Sequence, residues 1–185
     1  MIITISGTAG SGKSTVANVL AKKLGLKRYS LGDLQRALAK KKGISLHELG
    51  ELEKKDSSLD KKLDKMQQQL GKTENDFIID GRLSFHFIPH SLKIFVNADH
   101  TLRAKRIMKD VNKGMRKEEQ ALSITEMKTL MDQRQEQEIY RFTKYYKINP
   151  YDMKHYDFVF DSTKLNPDTM AQAVMEFIAE LSESL

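Results

Sequence analysis

Met1-Ile2-Ile3-Thr4-Ile5-Ser6-Gly7-Thr8-Ala9-Gly10-Ser11-Gly12-Lys13-Ser14 decides the fold. The isoleucine-rich opening suits a strand buried on both faces. It breaks into glycines, and from Lys13 the apolar positions Val16, Val19, Leu20 and Leu24 recur at helical spacing. Residues 7–14 match G-x-x-x-x-G-K-[ST], a pattern that chance supplies in about one chain in a hundred of this length. Its place between a strand and a helix is the one its chemistry requires. The glycines let backbone N–H groups converge on phosphate oxygens, and the helix start adds a positive dipole end. Lys13 would reach the β- and γ-phosphates of a nucleoside triphosphate, and Ser14 would put its hydroxyl on Mg²⁺.

Working outward, Gly25 closes the first helix. A short strand is expected at Arg28–Ser30 and a helix from about Asp33 to Lys42, stopped by Gly43. Residues 45–71 read as two polar helices. Ser45 with Glu48 forms a capping box at the first, and Leu59, Leu63, Met66 and Leu70 form an apolar stripe on the second. Further strands are expected at residues 77–80, 92–96 and 157–160. Helices are expected over about 99–111, 123–147 and 167–181, the last with Asn166 as cap and Pro167 at its first position. Five apolar strands interleaved with helices predict a three-layer α/β fold with a five-stranded parallel sheet.

The chain has 185 residues, enough for one domain. It has no cysteine, which excludes disulfides, thiolate zinc sites and cysteine nucleophiles, and fits a reducing, cytoplasmic setting. No apolar run approaches a membrane span and no signal peptide is expected. Lys plus Arg is 31 against 25 for Asp plus Glu, giving a net charge of +6 and suggesting an anionic partner. The phosphate loop is shared by GTPases, motor ATPases and small-molecule kinases. The nearest approach to a guanine-reading Asn-Lys-x-Asp motif, Asn112-Lys113-Gly114-Met115, lacks the aspartate, and the chain is short for a motor.

Transfer between two anions needs cations on the acceptor side as well. Arg36 and Arg82 fall near the carboxyl ends of the second and third strands, where ligands bind in open α/β sheets. Their forks suit phosphate oxygens. Arg134, Glu138 and Arg141, at i, i+4 and i+7, share one helical face that Met127 and Met131 continue. That face is either a solvated run of paired charges or a site in which Glu138 holds two arginines apart. Asp60, Asp64 and Gln67 are either the polar flank of an amphipathic helix or readers of a pyrimidine, whose exocyclic amine an aspartate accepts.

The segments Ile3–Thr15, Tyr29-Ser30-Leu31-Gly32-Asp33-Leu34-Gln35-Arg36, Ile79-Asp80-Gly81-Arg82-Leu83 and Arg134-x-x-x-Glu138-x-x-Arg141 resemble, in order and spacing, the short archaeal-type cytidylate kinases. These belong to the P-loop nucleoside monophosphate kinases. Leu83 stands where the longer bacterial cytidylate kinases have a base-reading aspartate. The resemblance implies ATP-dependent phosphorylation of CMP or dCMP, with Mg²⁺ arriving with ATP, by a single domain. Its core would be residues 1–40, 76–111 and 136–185, with a monophosphate-binding part at about 41–75 and a lid at about 112–135. ATP would be held by Gly7, Thr8, Ala9, Gly10, Ser11, Gly12, Lys13, Ser14 and Thr15, with Arg103 and Arg106 at the lid's base and the loop 161–166 against the adenine. CMP would be held by Ser30, Gly32, Asp33, Arg36, Asp60, Asp64, Asp80, Gly81 and Arg82. Lys13, Arg134 and Arg141 would be catalytic. A monomer without nucleic acid as a partner is expected. Two other readings stay open: a kinase for another small acceptor (UMP, AMP or a non-nucleotide), and a basic RNA-binding protein switched by ATP.

Overall fold

The computed structural model describes residues 1–56, 58–114 and 123–183. The elements run β1 (Ile2–Gly7), α1 (Lys13–Leu24), β2 (Lys27–Ser30), α2 (Leu31–Lys42), α3 (Leu46–Lys55), α4 (Ser58–Thr73), β3 (Phe77–Asp80) and α5 (Ser84–Phe87). Then follow β4 (Leu92–Asn97), α6 (His100–Asn112), α7 (Ile124–Tyr146), a 3₁₀ turn at Met153–His155, β5 (Phe158–Asp161) and α8 (Pro167–Glu183). The five strands form one parallel sheet in the order β2-β3-β1-β4-β5.

β1 lies at the centre, buried along its whole length, as its apolar run predicts. Alternate residues serve opposite faces. Ile3 and Ile5 pack with Val16 and Leu20 of α1 and with Met170 and Val174 of α8. Ile2 joins Phe77, Ile79, Leu31 and Ile88 on the other side. Helix ends follow the local chemistry. Gly25 and Gly43 close α1 and α2 in the left-handed conformation, with φ of 67° at each. Ser45 and Glu48 complete their capping box, and Asn166 Oδ1 accepts from the Thr169 N–H at 2.9 Å to start α8.

Some boundaries move. α2 begins at Leu31, ahead of the expected start near Asp33, because Ser30 is the cap: its hydroxyl accepts from the Asp33 N–H. α5 and the 3₁₀ turn were not expected. The apolar stripe of α4 is only partly a packing face. Met66 is 38% exposed, whereas Asp60 (5%) and Gln67 (2%) are buried. The polar positions face inward because they have partners there: Gln67 Oε1 accepts from Ser84 Oγ at 2.7 Å, and Asp60 meets Arg141. α3 and α4 leave the sheet, and α3 packs on α7. Of the lid expected at 112–135, residues 115–122 lie outside the described residues, and the remainder belongs to α6 and α7, which pack together through Ala104, Ile107, Met127 and Met131.

Candidate active site

The phosphate loop is clamped between strand ends. A Cβ at Gly10 would stand 2.6 Å from the Arg103 carbonyl oxygen, so the close approach of α6 requires glycine there. Thr8 donates its N–H to the Val96 carbonyl and its hydroxyl to Asn97 Oδ1. The Ser11 carbonyl accepts from Ser162 Oγ at 2.7 Å, tying the loop to the segment after β5. Gly12 precedes α1 with no side-chain cap, which leaves the helix's positive end facing the loop.

Beneath the loop, Ser14 Oγ donates to Asp80 Oδ1 at 3.0 Å. Ser30 Oγ donates to the same oxygen, and Arg28 holds Asp80 Oδ2 through Nε at 3.1 Å and Nη2 at 2.6 Å. The register Ile5↔Asp80 carries this buried carboxylate to the root of the loop. A serine hydroxyl with a carboxylate behind it fits the hard oxygen donors that Mg²⁺ takes beside phosphates. Asp80 therefore differs from its expected place among the acceptor residues: its bonds go to Ser14, Ser30 and Arg28. Ser30 and Asp33, also expected to hold CMP, do not border the cavity that Arg36 and Arg82 line. Asp33 pairs with Arg36 and lies 3.6 Å from Arg28, and these neighbours hold its carboxyl below its ordinary range.

Two cavities meet at Lys13 and Ser14. One, of about 270 Å³, is bounded by Gly10, Gly12 and Thr15 of the loop and by Arg106, Leu165 and Pro167. Arg106 is fixed by the Ser162 hydroxyl and carbonyl, each at 3.0 Å. Arg103, expected beside it, is not part of this lining: its Nε turns back onto the Ala98 carbonyl at 3.1 Å, because it caps the turn into its own helix. The other cavity is narrower, about 70 Å³, and brings Gly32, Arg36, Gly81 and Arg82 to the loop. Asp60 and Asp64 of α4 and Arg134 and Arg141 of α7 complete it.

Each arginine of this second cavity is held by an acid. The Arg82 Nε donates to Glu138 Oε2 at 2.6 Å and its Nη1 to the Gly7 carbonyl at 2.6 Å, joining β3 to the phosphate loop. Arg134 Nε takes the other Glu138 oxygen at 3.2 Å. Burial would raise the Glu138 carboxyl, but Arg82 and Arg134, with the Tyr151 hydroxyl donating to it, hold it at about 2. Arg141 pairs with Glu53 of α3 and, at 3.0 Å, with Asp60 of α4. Glu138 thus bridges Arg82 and Arg134, instead of separating Arg134 from Arg141. Both its oxygens are taken, and Arg141, a turn farther along α7, is level with the acids of α3 and α4. Burial raises Glu53 to about 7 against the pull of Arg141. It raises Asp64 to about 6 although the Tyr146 hydroxyl donates to it.

Sequence reading missed Arg28, Glu53, Tyr146 and Tyr151. Arg28 had one signal, its place two residues before Ser30 on a strand beside β3. The partners of the other three lie 13 to 88 residues away, where spacing carries no information.

A parallel sheet whose phosphate loop separates an arginine-lined cavity from a second, larger one defines a small-molecule kinase of the P-loop class. A family model described as "Cytidylate kinase-like family" matches residues 2–164. The chain belongs to this family. It is 37% identical over 183 residues to a cytidylate kinase of Methanoculleus marisnigri, covering 98% of this chain and 96% of that one. It is 31% identical over 175 residues to that of Methanobrevibacter smithii, covering 95% and 96%. Such relatives are nucleoside monophosphate kinases, and this chain is one by descent. Among solved structures, an uncharacterised protein from Eubacterium ventriosum aligns with a TM-score of 0.71 at 20% identity, covering 97% of this chain and 98% of that one. A shikimate kinase from Bacteroides thetaiotaomicron aligns at 0.61 and 15%, covering 97% and 98%. These two likenesses concern the fold. No helix among the described residues is long and apolar enough to cross a membrane.

Proposed function

We propose that the protein transfers the γ-phosphoryl group of ATP to CMP or dCMP, giving ADP and CDP or dCDP. The observation that carries this reading is that Lys13 and Ser14 border both cavities, one suited to the donor and one lined by Arg36 and Arg82 for an acceptor phosphate. A phosphate oxygen of the acceptor attacks the γ-phosphorus in line, and the bond to the β,γ-bridging oxygen breaks. The acceptor is already ionised, so no protein base is required, and catalysis rests on positioning and charge neutralisation. Lys13 follows the phosphates into the transition state. Arg134 and Arg141 serve as clamps on the transferring group. Ser14 would hold Mg²⁺ with Asp80 orienting its hydroxyl, and the ion supplies further neutralisation of the phosphates. Residues of about 41–75 would act as the monophosphate-binding part and about 112–135 as the lid.

The choice of cytosine rests on Asp60 and Asp64 lining the acceptor cavity. A carboxylate accepts from the cytosine amine and repels the carbonyl that uracil carries at that place. The test is ADP release with CMP, dCMP, UMP and AMP side by side. CMP or dCMP should show the highest kcat/KM. A higher value for UMP or AMP would overturn the cytosine reading while leaving a monophosphate kinase.

A further inference from the structure

We propose that Glu53 is a positioning residue that competes with the acceptor's phosphate for Arg141, keeping this arginine off the transferring group until an acceptor displaces it. The proposal rests on the reading of Arg141 as a phosphate clamp.

The observations begin with burial. Glu53 is 3% exposed and Arg141 3%, so their attraction is little screened by water and removing either leaves a buried charge uncompensated. Glu53 does not border the acceptor cavity; it reaches only the guanidinium that does. Its second oxygen, Oε1, accepts no hydrogen bond. A buried acid with one bare oxygen is costly in a finished structure, and the one Arg141 guanidinium is shared between two acids, Glu53 and Asp60, so whenever both are ionised negative charge outweighs positive around it. An incoming phosphate dianion adds to that excess and is repelled by it unless Arg141 turns from Glu53 toward the newcomer.

Space argues the same way. The acceptor cavity, about 70 Å³, is well below the roughly 300 Å³ at which ligand pockets begin, so an acceptor must widen it. α4 and α7 wall it, and α7 in turn meets α3 along a seam on which Arg141 lies. That seam is fastened by Gln137 Nε2 to Glu51 Oε1 at 2.5 Å, by Tyr145 OH to the Lys54 carbonyl at 3.2 Å, and between them by Glu53 and Arg141. Of the three, only the last joins the seam to a group of the reaction. An acceptor phosphate that reaches Arg141 must take it from Glu53, so its entry and the release of Arg141 are one event, and ATP bound alone meets an incomplete set of cations. Wasteful transfer to water is held down by the same contact.

The test uses Glu53→Gln, which keeps shape and removes charge, with Glu53→Asp as a shorter variant that keeps it. Equilibrium binding of CMP without ATP and ATP hydrolysis without acceptor are measured on each. Loss of the competitor should tighten CMP binding and raise acceptor-free hydrolysis by about fivefold in Glu53→Gln, with smaller changes in the same directions in Glu53→Asp. A role confined to holding α3 on α7 predicts weaker CMP binding and no gain in hydrolysis, and that outcome overturns the proposal. If Glu53→Gln does not fold, Glu53→Asp is judged by the same two readouts. Acceptor-free hydrolysis does not depend on which base is read, so failure of the cytosine assignment would leave this result interpretable with whichever monophosphate the wild type accepts.

Discussion

Ser14 and Asp80 are joined by a hydrogen bond of 3.0 Å across 66 residues of sequence, from the first turn of α1 to the end of β3. The bond aims the serine hydroxyl and places a full negative charge directly behind it. Asp80→Asn should therefore raise the Mg²⁺ concentration needed for half-maximal activity by about tenfold, the lower end of effects seen when outer partners of metal ligands are removed. It also deprives Arg28 of its ion partner, so the melting temperature should fall. Initial rates across a Mg²⁺ titration, beside a thermal melt, check both. An unchanged Mg²⁺ requirement would remove Asp80 from the metal's surroundings.

Arg36 sits on α2 and borders only the acceptor cavity. Arg36→Ala should raise the KM for CMP by about 10²-fold, as expected for a lost charge-assisted contact to phosphate, and leave the KM for ATP within about threefold. Steady-state kinetics with each substrate varied in turn will decide. Equal effects on both would place Arg36 outside the acceptor subsite.

Arg134 is held by Glu138 on the same helix, while Glu138 is buried between two guanidinium groups. Arg134→Ala should lower kcat by about 10²-fold or more while ATP affinity without acceptor changes far less, because the contact strengthens in the transition state. Glu138→Gln should show a different defect. It leaves Arg82 and Arg134 facing each other without their shared counter-charge, and the cost in stability should be about 3 kcal/mol. Denaturant melts of both variants, beside turnover and ATP binding, separate the two roles.

The acids around Arg141 set a pH dependence. Glu53 lies at about 7 in the folded chain against an ordinary 4.5, and Asp64 at about 6 against 3.8. A carboxyl raised by folding holds its proton more tightly in the native state. Its contribution is complete below the ordinary value and is lost as pH climbs through the raised one. Stability should therefore decline from about pH 5 to 7.5, and Glu53→Gln should flatten that decline by on the order of 1 kcal/mol or more. Glu138 acts in the opposite sense: it is depressed to about 2, so its contribution is present above about pH 4.5 and lost toward pH 2. Urea melts at half-unit pH steps measure both slopes. An identical slope in wild type and Glu53→Gln would contradict the assignment.

The sequence announced its fold through local regularities. The glycines of the phosphate loop, the uninterrupted apolar run before them and the Gly25 and Gly43 stops each state their geometry within a few residues. Arg36, Arg82 and Arg134 were legible because an arginine after a strand, or at helical spacing with an acid, is a pattern. What stayed hidden is which acid meets which arginine. Glu53 and Arg141 are 88 positions apart, and their contact depends on how α3 leans on α7. Asp60, with Asp64 and Gln67, stood open between the polar flank of an amphipathic helix and a reader of a pyrimidine, and Leu63 and Met66 were expected on the apolar stripe. The burial of Asp60 follows from a partner on another element, and no period reveals that.

The hydroxyls of Tyr146, at the end of α7, and of Tyr151 beyond it end on Asp64 and Glu138, which border the cavity of Arg36 and Arg82, while Tyr140 of α7 faces solvent. The chain has six tyrosines and no tryptophan, so its ultraviolet emission comes from tyrosine alone. A phenol bonded to a carboxylate emits weakly, and it brightens when that carboxylate is drawn elsewhere. Two of the six chromophores thus report on acids that, if the proposed acceptor site is right, an entering monophosphate would meet. Occupancy of the proposed site should then be readable from tyrosine emission in a stopped-flow instrument, without a label, a coupled enzyme or a radioactive nucleotide.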